Sequence, residues 1–151
     1  MEEEWHRGDY SITTDPASID VDAVHAFLRE SYWSPGIPRQ IVERAIAGSL
    51  NFSLLYRGRQ AGFARVAKDY ATFGYVMDVF VLPEHRGQGL ALWLMQTIFA
   101  HPQLQDFRVW RLATLDAHRL YEKVGFRPVG TPERLMEIND PDVYKRMEGH
   151  A

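Results

Sequence analysis

The sequence predicts a mixed α+β fold, a central and mostly antiparallel sheet of about six or seven strands flanked by about four helices in three layers. Three observations carry that reading. Residues 51–56 and 60–68 flank Arg57-Gly58-Arg59, a hairpin signal, and Ala71-Thr72-Phe73-Gly74 is a second short turn before the next strand. Strands joined by hairpins in succession separate the chain from a doubly wound fold, in which strand and helix alternate from the start. In that next strand Val76, Met77, Val79, Phe80, Val81 and Leu82 form a β-branched and aromatic run too dense for a half-exposed strand, so both its faces should be covered.

The elements follow in order. Residues 9–14 alternate weakly and read as a first strand, closed by the Asp15-Pro16 turn. Asp20 or Asp22 can cap a helix whose stripe is Val21, Val24, Phe27 and Leu28. Pro38 opens a second helix with Ile41, Val42, Ala45 and Ile46 on one face, ending near Gly48. After the meander, Leu90, Trp93, Leu94, Thr97 and Ile98 recur at helical spacing until His101-Pro102. Residues 108–114 read as a strand, and Asp116 as the cap of a helix ending at Gly125. Residues 126–129 and 134–138 read as two last strands around a Gly130-Thr131-Pro132 turn, and the tail from Asn139 holds one short helical turn at best.

With 151 residues, 46% of them hydrophobic, the chain suits one domain over residues 1–151. A net charge of −3 without a basic run argues against nucleic acid as a partner. The absence of cysteine removes disulfides, thiolate metal sites and a cysteine nucleophile. No apolar run approaches a membrane span and the start lacks a signal-peptide pattern, so a cytoplasmic location, away from membranes, is expected. The histidines show no metal-ligand spacing, and no metal is expected.

The strongest chemical signal is the segment from Arg86 through Gly87, Gln88, Gly89 and Leu90 to Ala91. A helix that starts at two glycines presents unpartnered N–H groups to an anion, and Arg86 adds positive charge. A P-loop is excluded by spacing. A dinucleotide fingerprint needs a third glycine where Leu92 stands, which weighs against a nicotinamide-binding oxidoreductase. The pattern Arg-Gly-x-Gly-x-Ala instead resembles the acetyl-coenzyme A signature of the GNAT family of N-acetyltransferases. The stretch His118-Arg119-Leu120-Tyr121-Glu122-Lys123-Val124-Gly125-Phe126, about 30 residues on, resembles that family's second motif.

The resemblance spans residues 9–138 and implies a GNAT-like fold with splayed central strands. It implies acetyl transfer from acetyl-CoA, as cosubstrate, by direct attack of a primary amine on a small molecule or peptide. Backbone groups of Val79, Phe80 and Val81 would pair with the pantetheine arm and polarise the thioester. Tyr121 matches the tyrosine that serves as general acid toward the leaving thiolate. Thr114 stands where many members carry Asn, and His118, three residues before Tyr121, can line the same cofactor crevice. The residues themselves suggest Asp78 as a base, since it interrupts an apolar run, with hydrogen-bond acceptance from nearby groups as the other reading. Glu84 and His85 read as surface loop residues. Tyr32, Trp33, Tyr70 and Tyr75, with Asp69 and Phe73 nearby, could form an aromatic acceptor pocket around a carboxylate. The alternative is a non-catalytic module that senses CoA or acyl-CoA; either would work as a monomer or homodimer.

Overall fold

Six strands lie side by side in sequence order in one sheet, in a computed structural model that describes residues 2–148. They are β1 Glu4–Arg7, β2 Tyr10–Thr13, β3 Leu50–Tyr56, β4 Arg59–Lys68, β5 Phe73–Val81 and β6 Val109–Arg111. The first five pair antiparallel, whereas β6 joins β5 in parallel. Parallel neighbours need a crossover, and helix α3, Leu90–Ala100, supplies it. The other helices are α1 Val21–Leu28, α2 Arg39–Ala47, α4 His118–Glu122 and α5 Val143–Glu148.

Local chemistry explains the boundaries. The Asp20 carboxylate accepts the Ala23 N–H at 3.1 Å and caps α1. Pro38, extended at φ −68°, stands as the cap of α2, and Gly48 ends it. The predicted stripe of α3 is buried, together with Met95. That stripe covers one sheet face, packing on Phe52, Leu54, Ala64, Val66, Val76 and Val81. Val24, Leu28, Ile37 and Val42 of α1, α2 and their linker cover the other face at Phe63 and Phe80. Both faces of β4 and β5 are thus closed, as their composition demands.

Several expectations fail for physical reasons. The strands expected at 126–129 and 134–138 do not form: the first segment is irregular, and a short helical turn at Pro132–Arg134 leads into residues without a strand partner. Pro128, inside the first segment, cannot donate to a ladder, and Pro132 opens the helical turn that precedes the second. The sixth strand comes instead from the polar start of the chain. There β1 is an edge strand whose Trp5 packs toward Phe52, with ring centroids 6.3 Å apart. Asp116 is not the cap before α4; the Thr114 hydroxyl accepts the Ala117 N–H at 3.0 Å. The tail forms α5, longer than the single turn expected.

Two features of the packing have measurable consequences. A Cβ on Gly62 would lie 2.6 Å from the Phe80 carbonyl oxygen, a backbone atom that cannot rotate away. Gly62→Ala should therefore cost about 1–3 kcal/mol, lowering Tm by about 2–12 °C in a thermal melt. His101 is 1% exposed between Trp5 and Phe52, and its Nδ1 accepts the Gln103 N–H at 3.1 Å. Burial holds its pKa below the ordinary value. The unfolded chain then binds the proton more readily than the native one, so this contribution to stability is present above the unfolded value of about 6.5 and lost as pH falls through the lower native one. Tm should drop between pH 7 and pH 5, and by less in His101→Phe; equal slopes in the two proteins would exclude His101 as the cause.

Candidate active site

The site is organised by the end of β5. β6 pairs only with Phe73, Gly74 and Tyr75, so residues 76–81 have no strand on that edge among the described residues. The predicted splay is therefore present as geometry, and Val79, Phe80 and Val81 lie within the unpaired stretch. Val79 and Val81 pack toward α3, whereas Phe80 stacks on Phe27 on the opposite face at 4.1 Å.

At the end of β5 the chain makes a short helical turn, Pro83–His85, and enters the glycine loop. Gly87 has φ 83°, and Gly89, in the left-handed region at φ 75°, is the N-terminal cap residue of α3. No side chain caps that helix, so its first N–H groups face outward without a protein acceptor. A Cβ on either glycine would meet nothing within 4 Å, so the approach to those amides is open. Arg86 donates from Nε to the Val81 carbonyl at 2.9 Å, which fixes its guanidinium beside the loop. Gln88 braces the loop, donating to Tyr10 Oη and to the His85 carbonyl, both at 3.2 Å. Tyr10 Oη also lies 2.9 Å from His85 Nδ1, so His85 supports the loop rather than standing free at the surface. Leu90 is buried and Ala91 half-buried where α3 meets the sheet.

The second motif forms α4. Tyr121 packs edge-on to Phe126 with centroids 6.0 Å apart. Burial pushes its phenol up to about 12, with smaller contributions from Tyr32 and Asp116. The group is thus held neutral and proton-bearing. Thr114 uses its hydroxyl to shape the turn before α4, and His118 is exposed at that helix's first residue.

The acceptor-side residues divide. Tyr32 and Trp33 meet edge-on at 5.1 Å and are 52% and 38% exposed. Tyr32 Oη accepts the Leu115 N–H at 3.0 Å, tying the loop after α1 to the loop before α4. Trp33 Nε1 donates to Asp78 Oδ1 at 3.0 Å, and Arg65 Nε donates to Asp78 Oδ2 at 2.8 Å. Both carboxylate oxygens are therefore engaged. Asp78 sits at a β-bulge, where the register shifts so that two β5 residues stand opposite one on β4, and its φ is 56°. Met77 and Asp78 consequently both meet Arg65. Tyr75 remains on β5 near Phe73, with centroids 6.4 Å apart. Tyr70 and Asp69 belong to the β4–β5 turn instead. Lys68 Nζ lies 4.4 Å from the Tyr70 ring centre, and the Asp69 carboxylate accepts from Ala71, Thr72 and Phe73, which holds it far below the usual carboxylate range. A carboxylate occupied in this way does not serve an ammonium guest.

Sequence reasoning missed Arg65 and Tyr144. Arg65 alternates with apolar β4 neighbours and could have been read as the partner of Asp78. Tyr144, on α5, packs at the edge of the α1–α2 cluster, and burial raises its phenol pKa, with a further rise from the nearby Asp78 charge. Nothing in the local sequence places that helix there.

Comparison with known proteins agrees with this geometry. A family model described as an acetyltransferase (GNAT) domain matches residues 48–128. A Gibberella zeae protein with a provisional acetyltransferase name is 33% identical over 148 residues, covering 82% of each chain. A crystal structure from Xanthomonas campestris, provisionally named an acetyltransferase of the GNAT family, is 47% identical and superposes with a TM-score of 0.87, over 89% of this chain and 96% of that one. A Clostridium acetobutylicum structure described as a predicted acetyltransferase with acetyl-CoA shares the fold at 15% identity and a TM-score of 0.62, covering 92% and 96%. A family match over more than half the chain, spanning the glycine loop and the α4 motif, and a relative 33% identical lead to one conclusion: the chain belongs to the GNAT acetyltransferase family.

Proposed function

We propose that the protein is an N-acetyltransferase that moves an acetyl group from acetyl-CoA to a primary amine on a small molecule or peptide. The observation that carries this reading is the open, uncapped start of α3 beside the unpaired edge of β5. Amides at a helix N-terminus suit a diphosphate, and a free strand edge suits the amide-bearing pantetheine arm, so the residues present fit acetyl-CoA.

In this reading Gly87, Gln88, Gly89, Leu90 and Ala91 supply the backbone cradle, and Arg86 offers the guanidinium N–H groups that Val81 does not use. Val79, Phe80 and Val81 pair with the arm, and an N–H among them polarises the thioester carbonyl. Bound acetyl-CoA would supply an acyl group activated by its thioester; Tyr121 gives a proton to the departing sulfur, and the proton that the attacking amine loses restores the phenol. Thr114 contributes by shaping the start of α4, which sets the position of Tyr121, with His118 beside the crevice mouth. The acceptor enters past Tyr32 and Trp33, with Tyr75 and Tyr144 along the same face. Asp78 is better supported as the anchor that holds Trp33 than as a free base, since taking a proton would require it to release Trp33 or Arg65.

Tyr121→Phe should lower kcat by about 10²–10⁴ in a thiol-release assay against an amine panel while leaving CoA affinity unchanged in calorimetry. CoA binding with no turnover by the native protein on any amine would favour a CoA-sensing module instead. A phenol pushed up to about 12 stays protonated through the working range, so Tyr121 should impose no fall in kcat between pH 8 and pH 10. A falling limb there that disappears in Tyr121→Phe would contradict the assignment. Gly89→Glu places a carboxylate in the open space before the α3 amides, and should weaken CoA binding at least tenfold.

A further inference from the structure

We propose that Tyr10 is a positioning residue for acetyl-CoA: from strand β2 its hydroxyl clamps the glycine loop in the shape that receives the diphosphate, and so sets the affinity for the cosubstrate. The inference rests on the acetyl-CoA reading given above. It adds to that reading a residue 78 positions away from Gln88 in the chain.

The loop has little else to hold it. Gly87 and Gly89 both have positive φ, and a Cβ on either would meet open space. Glycine has more freedom to lose on ordering than any other residue, so a loop built on two of them binds weakly unless the protein fixes it before the ligand arrives. Arg86 is tied at the entry by its bond to the Val81 carbonyl. Between the glycines the only side chain is that of Gln88, which is exposed. Its Nε2 nonetheless reaches two partners at once, the His85 carbonyl and Tyr10 Oη.

The hydrogens of this cluster can all be assigned. A carbonyl only accepts, so the contact with the His85 oxygen identifies the Gln88 atom as the amide nitrogen, which can only donate to Tyr10. Tyr10 Oη therefore accepts from Gln88, and its single hydrogen is left for His85 Nδ1, 2.9 Å away. One hydroxyl thus holds both ends of the stretch from His85 to Gln88. That hydroxyl is itself held firmly. Tyr10 stands opposite Tyr56 in the β2–β3 ladder with ring centroids 4.9 Å apart, and the two rings meet the His85 imidazole at 5.6 and 5.2 Å. Three rings in mutual contact leave the Tyr10 side chain little rotational freedom. The sheet orders the loop, and the amides from Gly87 to Ala91 keep one arrangement in the free protein.

Tyr10→Phe removes the hydroxyl and keeps the three rings. It should weaken CoA binding about three- to tenfold in calorimetry, the loss expected for one hydrogen bond. In steady-state assays the KM for acetyl-CoA should rise by the same factor, while kcat at saturation and the KM for the amine stay native. Gln88→Ala, which keeps the backbone amide, should give a loss of similar size. The double variant Tyr10→Phe, Gln88→Ala should lose no more than either single one, because both delete the same link. Tyr56→Phe trims a neighbouring phenol that makes no bond to the loop among the described residues, and should bind CoA as the native chain does. Native affinity in Tyr10→Phe, or losses that add in the double variant, would overturn the proposal and leave the acetyl-CoA reading in place. A fall in kcat matching the loss of affinity would also overturn it, showing a general disturbance of the fold. A native chain that does not bind CoA would remove the acetyl-CoA reading and this proposal together.

Discussion

Central to the molecule is the parting of β5 and β6. The two share a ladder through Tyr75, after which β6 stops and the chain turns toward α4 through the turn that the Thr114 hydroxyl shapes. A central strand with one bare edge leaves backbone donors and acceptors in a half-buried setting, where an unmet hydrogen bond is costly. A ligand with amides of its own relieves that cost. The crossover through α3 then makes the arrangement productive: a helix that begins where β5 ends brings its uncapped amides to the same end of the sheet as the bare edge. In the proposed reading, phosphate recognition and strand-like pairing would both follow from this one topological choice.

The bulge at Asp78 is the second constraint, and it is stabilised from two sides. A non-glycine residue at φ 56° costs about 1–3 kcal/mol unless its surroundings hold it there. Arg65 and Trp33 do so, reaching the carboxylate from the adjacent strand and from the loop after α1. The ion pair is largely buried, with side chains 15% and 8% exposed, so loss of either partner would leave an uncompensated charge. Through Trp33 the bulge also fixes the aromatic loop, and through Tyr32 that loop is fastened to the approach to α4. The Tyr32–Trp33 loop and the approach to Tyr121 are thereby mechanically linked.

Much of this was readable from residue order, and the exceptions have causes. The meander, α3 and both motifs were legible because hairpin turns, periodicity and glycine placement are local signals. The bare edge of β5 was implied only by the family resemblance and not by the residues themselves, since a strand's neighbours depend on where β6 stops. Asp78 looked like a candidate base because an acid in an apolar run is conspicuous, whereas the Arg65 that occupies it lies 13 residues earlier, across the register shift. Asp69 and Tyr70 looked like pocket residues because aromatics and acids cluster in sequence there, but the turn uses them itself. β1 escaped notice because an edge strand needs only one anchoring side chain, here Trp5. The segment at 134–138 has a strand's composition but finds no strand beside it among the described residues.

The length of the bare edge has a consequence of its own. Residues 76–81 span about 20 Å at the usual rise of a strand. A guest anchored by its charge at the helix can run along the strand only over that distance before the β6 ladder blocks further pairing. If acetyl-CoA binds as proposed, the crevice would act as a ruler: an arm too short would fail to reach its inner end and one too long would have to buckle, so the fold would select its guest by dimension as well as by charge.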